Sequence, residues 1–202
     1  MSRPANLIPF VGIGLFGLVT LIALTATGGS SMSSSAPLSH PIPAGQPGRY
    51  FTWAEFSKSG TASRLGLDNT PTPSAQTNLK LLCKHVLDPL RHHLGRAVRI
   101  TSGFRSKAVN LKLKGASSTS QHMEGRAVDF KVEGISAEQL ATIIVRLNLP
   151  FDQVIWYDLA RGGHVHLSYT AARNNRRQMR HAPEGGGYNP WRPAAISGDT
   201  CG

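Results

Sequence analysis

Three histidines and an aspartate are spaced along the chain as metal ligands could be. His122 lies in a polar, glycine-containing segment, and Asp129 follows seven residues later in an apolar run typical of a strand. His164 and His166 lie two residues apart in a later run of the same kind, so both side chains should point to one face of a strand. If the two strands are neighbours, two imidazoles and one carboxylate can converge. That ligand set suits Zn²⁺, with a fourth position open for water.

A three-ligand zinc site is typical of catalysis rather than of structural support. The metal lowers the pKa of water toward neutrality and polarises a carbonyl group. Hydrolysis would also need a side chain that accepts a proton from this water and passes it to the leaving amine. The four residues therefore indicate metal-assisted hydrolysis.

The part of the chain that holds these residues is predicted to have an α+β fold. Strands are predicted over residues 97–101, 126–132, 153–157 and 164–169, and helices over residues 52–57, 78–94 and 136–147. Within the long helix, Pro89 predicts a kink and Gly95 the end. Asp129 and the histidine pair would then lie on two strands, with His122 on the loop before the first of them.

The composition divides the chain into four segments. Residues 1–27 hold an apolar run from Leu7 to Ala26, about the 20 residues that span the hydrocarbon of a bilayer. This segment is interpreted as a signal peptide or a membrane anchor, and either one predicts an exported protein that faces the periplasm or the cell wall. Residues 28–48 are a tether rich in Ser, Pro and Gly, residues 49–171 the folded domain, and residues 172–202 a basic, irregular tail.

The net charge of +11 favours acidic partners. Nucleic acid is excluded among them, because the chain has no zinc-finger spacing, no aromatic RNA-binding motif and no basic region with heptads. An anionic cell wall and a membrane surface remain. Four arginines and no acid lie in residues 172–183, which are interpreted either as a contact to a polyanion or as a solvated extension. Cys83 and Cys201 could pair in an oxidising compartment, although the sequence does not indicate that they do, and a monomer is expected.

Four stretches of the chain, taken in order, resemble one peptidase family. They are SGFR at residues 102–105, SQHMEGRAVD at 120–129, FDQVIWY at 151–157 and HVHLSY at 164–169. The first two resemble the SG[YF]R and SxHxxGxAxD patterns of the M15 family of zinc D-Ala-D-Ala peptidases, which has phage endolysin-like members. The resemblance covers residues 49–169. It implies a small antiparallel sheet flanked by helices, in a zinc fold that is shared with hedgehog domains.

The resemblance assigns the metal ligands. It implies that zinc is bound by His122, Asp129 and His166. Position 164 is commonly tryptophan in relatives. His164 could hydrogen-bond a metal ligand without binding the metal itself, stabilise an oxyanion, or exchange the ligand role with His166.

The resemblance also implies residues that contact the substrate. Arg105 should face a carboxylate or a peptide carbonyl that develops charge, which a guanidinium fork suits. Ser120 and Gln121 should shape the loop that presents His122 and border the substrate. Gly125 should let the backbone turn tightly between the ligands.

The family has a Glu or Asp shortly before the last ligand, often at the end of the penultimate strand. Tyr157 stands at that position here, and Asp158 follows it. Asp158 is therefore the first candidate for the proton acceptor, and Asp152, at the start of the same strand, is the second. If Asp158 points outward, His164 could take the role.

These features predict a zinc-dependent peptidase that cleaves peptidoglycan stem peptides. It would act as a D-Ala-D-Ala carboxypeptidase or as an endolysin-type endopeptidase. The alternative is a non-catalytic, zinc-containing module that binds the cell wall or forms part of a virion, which the tyrosine at the position of the acid supports.

Overall fold

Residues 41–194 are described by the structure, which is a computed structural model. The predicted span from Leu7 to Ala26 and residue Cys201 lie outside them, so the interpretation of the N-terminus and the suggested pairing of Cys83 with Cys201 stay predictions. Cys83 itself is buried in the core. Within residues 41–194, no helix combines the length and the apolarity that crossing a bilayer requires.

The α-helices of the described chain are short, and most of them precede the first strand in the sequence. They are α1 (Trp53–Ser57), α2 (Gly60–Leu65), α3 (Pro73–Leu82), α4 (Asp88–Leu94), α5 (Lys107–Asn110) and α6 (Ala137–Arg146). Two 3₁₀ turns, Gln121–Glu124 and Leu159–Arg161, lie in loops that border the sheet. α6 begins at the predicted capping box, in which the Ser136 hydroxyl accepts from the N–H of Gln139.

The long apolar helix begins earlier than predicted and contains an irregular turn. Thr72 caps its N-terminus by accepting from the backbone N–H of Ala75, and Pro73 follows at the first helical position. A π-helical turn at Cys83–Leu87 joins α3 to α4 just before Pro89. Proline has no N–H to donate and its ring crowds the preceding turn, so the regular hydrogen bonding is interrupted near the predicted kink.

The sheet of the described chain has six strands in the order β1-β2-β4-β3-β5-β6. They are β1 (Val98–Ser102), β2 (Ala127–Val132), β3 (Gln153–Tyr157), β4 (Val165–Ser168), β5 (Gln178–Ala182) and β6 (Asn189–Pro190). β1 to β4 pair antiparallel as predicted, whereas β5 pairs parallel to β3. The predicted α+β class is confirmed, and the sheet is larger than predicted and mixed.

The prediction of an irregular tail from residue 172 was wrong for β6, which pairs with β5, and for β5 itself. The free edge of β3 supplies backbone partners for this segment, and the N–H of Gln178 donates to the carbonyl oxygen of Asp152 at 3.0 Å. At the other end of the strand, the N–H of Asp158 donates to the carbonyl oxygen of Ala182 at 3.1 Å. β5 has little apolar alternation of its own, so its sequence carried no strand signal.

The two faces of the sheet have different surroundings. Val128 and Phe130 of β2 and Leu167 of β4 are fully buried in a core shared with the helices. Because side chains alternate along a strand, Asp129 and His166 point to the opposite face. That face carries the candidate site.

Candidate active site

The structure brings the three predicted metal ligands together. The Oδ1 atom of Asp129 lies 3.3 Å from Nε2 of His122 and 2.8 Å from Nδ1 of His166, and the two nitrogens are 3.2 Å apart. Zinc bonds of about 2.0–2.1 Å in a tetrahedron hold ligand atoms about 3.3 Å from each other. The three residues therefore form a group that could hold one such ion.

The backbone fixes the tautomer of His122. Its Nδ1 atom lies 2.7 Å from the carbonyl oxygen of Gly103, which can only accept, so Nδ1 carries the hydrogen. The lone pair of Nε2 is thereby left facing Asp129, which is the orientation a metal-binding histidine needs. Gly103 itself packs so closely on the backbone of Phe56 that a Cβ atom would not fit.

Arg105 holds the second oxygen of Asp129. Its Nη2 donates to Oδ2 at 2.7 Å, and its Nε donates to the hydroxyl of Ser102 at 2.9 Å. Oδ1 therefore stays directed at the two imidazoles. The Arg105 side chain also lines the cavity, so a substrate could reach it. Its closest hydrogen-bond partner in the structure is Asp129.

Burial and charge act on the two buried ligands in opposite ways. Burial lowers the pKa of His122, despite the attraction of Asp129, and favours the neutral imidazole. Burial alone would raise the pKa of Asp129, but its electrostatic interactions and hydrogen bonds with His122 and His166 hold it well below its usual range. A neutral imidazole and an ionised carboxylate are the forms that bind a metal.

The loop that presents His122 depends on a glycine. Gly125 has a φ of 67° and closes the 3₁₀ turn, with its N–H donating to the carbonyl oxygen of His122 at 3.2 Å. A Cβ atom here would collide with the carbonyl oxygen of Ala75 in α3. The amide of Asn78, also in α3, donates to the carbonyl oxygen of Glu124 at 2.8 Å and fastens the same loop.

The ligand group opens into a cavity of about 720 Å³. Ser120 and Gln121 line it beside the ligands, and their contact with substrate stays a prediction. The side-chain amide of Gln121 donates to Oδ2 of Asp152 at 3.0 Å, so it also anchors the loop.

Asp158 was the first candidate for the proton acceptor, and the structure places it elsewhere. Its carboxylate accepts from Nε2 of His181 at 2.7 Å and from the N–H of Glu184 at 2.8 Å. Asp158 is not one of the described residues that line the cavity. The physical reason is strand alternation, because Tyr157 ends β3 on the cavity side.

His164 and Asp152 do not reach the cavity either. The ring of His164 stacks on that of Tyr157 at 4.3 Å between centroids, and Tyr157 is the member of this pair that lines the cavity. Asp152 is fully buried and accepts hydrogen bonds from Arg173 and Arg176. Neither residue therefore lies in the cavity, where a proton acceptor would have to be.

Several cavity residues were not assigned a role from the sequence: Tyr157, Tyr188, Arg173, Arg176 and Arg180. The alternation of β3 could have assigned Tyr157 to the site, since Gln153 and Ile155 line the same wall. The arginines were visible as a basic run, but the strand that brings them to the cavity was not.

The profile of a family described as Peptidase M15 matches residues 49–168, more than half of the chain. The chain therefore belongs to this peptidase family, as the motifs predicted. The comparison with curated proteins finds no match.

Proposed function

We propose that this chain is a zinc-dependent peptidase that cleaves peptidoglycan stem peptides outside the inner membrane. The convergence of His122, Asp129 and His166 beside an open cavity carries the proposal, together with membership of the Peptidase M15 family. The apolar run at residues 7–26 and the charge of +11 support a location at the membrane and the acidic wall.

The protein's part in this chemistry is to hold the ligands and the substrate in place. When bound, Zn²⁺ supplies Lewis acidity that polarises a peptide carbonyl and lowers the pKa of nearby water. Arg105 occupies Oδ2 of Asp129 and so keeps Oδ1 available, and Gly103 fixes the ring of His122. Ser120 and Gln121 border the space into which the peptide must enter.

Tyr157 is placed to donate a hydrogen bond into the cavity. Burial and the contact with Tyr188, whose hydroxyl lies 3.3 Å away, raise the pKa of Tyr157, so the phenol is protonated at neutral pH. A donor at this position can stabilise the charge that develops on a carbonyl oxygen. It cannot accept a proton as a carboxylate would.

The test is digestion of purified peptidoglycan by the full-length chain, with products identified by mass spectrometry. We expect peptide release that a chelator abolishes, that His122→Ala abolishes, and that the exposed control His93→Ala leaves unchanged. Loss of terminal D-Ala identifies a carboxypeptidase, and release of longer peptides identifies an endopeptidase. No product from zinc-loaded protein contradicts the proposal.

A second candidate function is a zinc-containing module that binds the wall without cleaving it. It is favoured by Tyr157 at the position where the family resemblance implies an acid. Under this alternative, the wild type binds stem peptides without releasing product, and Tyr157→Glu gains hydrolysis because it restores a carboxylate. Release of product by the wild type contradicts the alternative.

A further inference from the structure

Three arginines form one wall of the cavity, and all of them follow the family match. Arg173, Arg176 and Arg180 line the cavity that holds the metal ligands, whereas the match ends at residue 168. We propose that these arginines form a second subsite, which binds a substrate carboxylate at a distance from the bond that is cut. This inference rests on the peptidase function proposed above and adds the feature of the substrate that the chain selects.

Arg173 and Arg176 are held in place by one buried carboxylate. Asp152 accepts from Nη1 and Nη2 of Arg173 at 3.1 and 3.2 Å, and from Nη2 of Arg176 at 2.6 Å. One carboxylate neutralises one of the two guanidinium charges, so this corner keeps a net positive charge. Both arginine side chains are 48% exposed, and Nε of Arg173 and Nη1 of Arg176 do not contact Asp152. Both arginines line the cavity, and these N–H groups are the donors that Asp152 leaves for an anion there.

Arg180 adds a third positive charge on the same face of the sheet. One row of the strand register consists of Asp129, His166, Ile155 and Arg180. Among residues 41–194, no carboxylate lies within ion-pair distance of the Arg180 guanidinium. The side-chain amide of Gln178 faces this guanidinium, and its oxygen can accept from Nε at 3.1 Å and from Nη2 at 2.7 Å, but an amide brings no negative charge. A half-buried guanidinium without a counter-ion favours an anionic ligand, and its remaining N–H groups can bind a carboxylate.

The row also sets how far the subsite lies from the metal ligands. Three strand-to-strand steps separate Asp129 from Arg180, and at about 4.8 Å for each step the backbones are about 14 Å apart. Side chains stand roughly perpendicular to a sheet, so this separation is largely kept above its surface. Since an extended peptide advances about 3.3 Å per residue, the bound carboxylate belongs to a residue about three or four positions from the attacked carbonyl. A carboxylate beside the cleaved bond would lie near Arg105 instead.

A stem pentapeptide offers two carboxylates that fit this distance for different bonds. If the terminal D-Ala-D-Ala bond lies at the metal ligands, D-Glu is only two residues from the attacked carbonyl. Its carboxylate is nevertheless about ten bonds away through the γ-linkage, close to the length of three residues, and so reaches the arginine wall. If the L-Ala-D-Glu bond lies there, the C-terminal carboxylate reaches it. The identity of the recognised carboxylate therefore indicates which bond is cut.

The test measures binding of four synthetic stem pentapeptides to the full-length chain in the presence of a chelator, so that no cleavage is required. The peptides carry both carboxylates, only the D-Glu carboxylate, only the C-terminal carboxylate, or neither, with amides in their place. For the wild type, we expect amidation of one of the two to raise the Kd about tenfold. Arg180→Gln should raise the Kd of the acidic peptide by a similar factor and leave that of the matching amide unchanged. Arg99→Gln, which removes the same charge from an exposed position on β1, is the control.

Arg180→Gln is the decisive variant because it removes no ion pair, whereas loss of Arg173 or Arg176 would uncover the buried Asp152. The inference is overturned if the wild type binds none of the peptides, binds all four equally, or loses affinity for acid and amide alike in Arg180→Gln. If the wild type selects the carboxylate but releases no product from peptidoglycan, the subsite stands and the peptidase function falls.

Discussion

At the scale of single residues, the partners of the metal ligands decide how firmly the site is held. Arg105 is the partner of Asp129, and without it Oδ2 would be free to rotate toward the imidazoles. We expect Arg105→Gln to weaken zinc binding about 10- to 100-fold, as losses of such supporting contacts do. Competition with a chelating dye measures this affinity, and Arg99→Gln is the control. An unchanged zinc affinity in Arg105→Gln would show that Asp129 does not need this partner.

Tyr157 and Asp158 are neighbours in sequence with opposite surroundings, which makes them a matched pair. Tyr157 lines the cavity, whereas Asp158 lies outside it and accepts a hydrogen bond from His181. We expect Tyr157→Phe to lower kcat about 10- to 100-fold, because the cavity loses a hydrogen-bond donor. Asp158→Asn should change kcat by less than about twofold, as for a group outside the site. A large loss of kcat in Asp158→Asn, with the fold retained, would restore it as the proton acceptor.

At the scale of elements, the ligand loop is held by its packing on α3. Gly125→Ala would force an unfavourable φ and a collision with the Ala75 carbonyl, so we expect a loss of about 2 kcal/mol or more in unfolding free energy. Gly60→Ala is the control, because Gly60 begins α2 with open space around it. Chemical denaturation of both variants measures the difference. Equal stability of the two would mean that the loop can move away from α3.

The elements differ in how well the sequence predicted them. β3 was predicted with its observed bounds, because its apolar residues and the flanking turn residues are local signals. β5 was missed, because a polar segment becomes a strand here only through pairing with a distant edge. The metal ligands were predicted through local motifs, whereas the arginine wall depends on β5 and could not be.

At the scale of the whole molecule, Asp152 links the tail to the ligand loop. Its carboxylate accepts hydrogen bonds from Arg173 and Arg176 of the tail and from Gln121, which precedes the ligand His122. Burial would raise the pKa of Asp152, but the hydrogen bonds from Arg176 and Gln121 outweigh it and hold this pKa below its ordinary value. The link is therefore strongest when the carboxylate is ionised.

The stability of the protein should depend on pH through this link. A pKa that is lower in the folded chain adds stability at pH values above the unfolded pKa of about 3.9, and this stability is lost as the pH falls through the folded pKa. We expect Asp152→Asn to lower the unfolding free energy by about 2 kcal/mol at pH 7, with the difference from wild type shrinking below about pH 4. Denaturation over this pH range measures it, with the exposed Glu133→Gln as control. A difference that stays constant with pH would contradict the link.

His122, Asp129 and His166 could hold one metal ion, and we propose that this ion is zinc. The most direct test is elemental analysis of the full-length chain after zinc loading and dialysis, in the wild type and in Asp129→Asn. We predict one zinc per chain in the wild type and none retained in Asp129→Asn, with both proteins folded. A wild type that retains no zinc, or an Asp129→Asn variant that retains it fully, would contradict the claim.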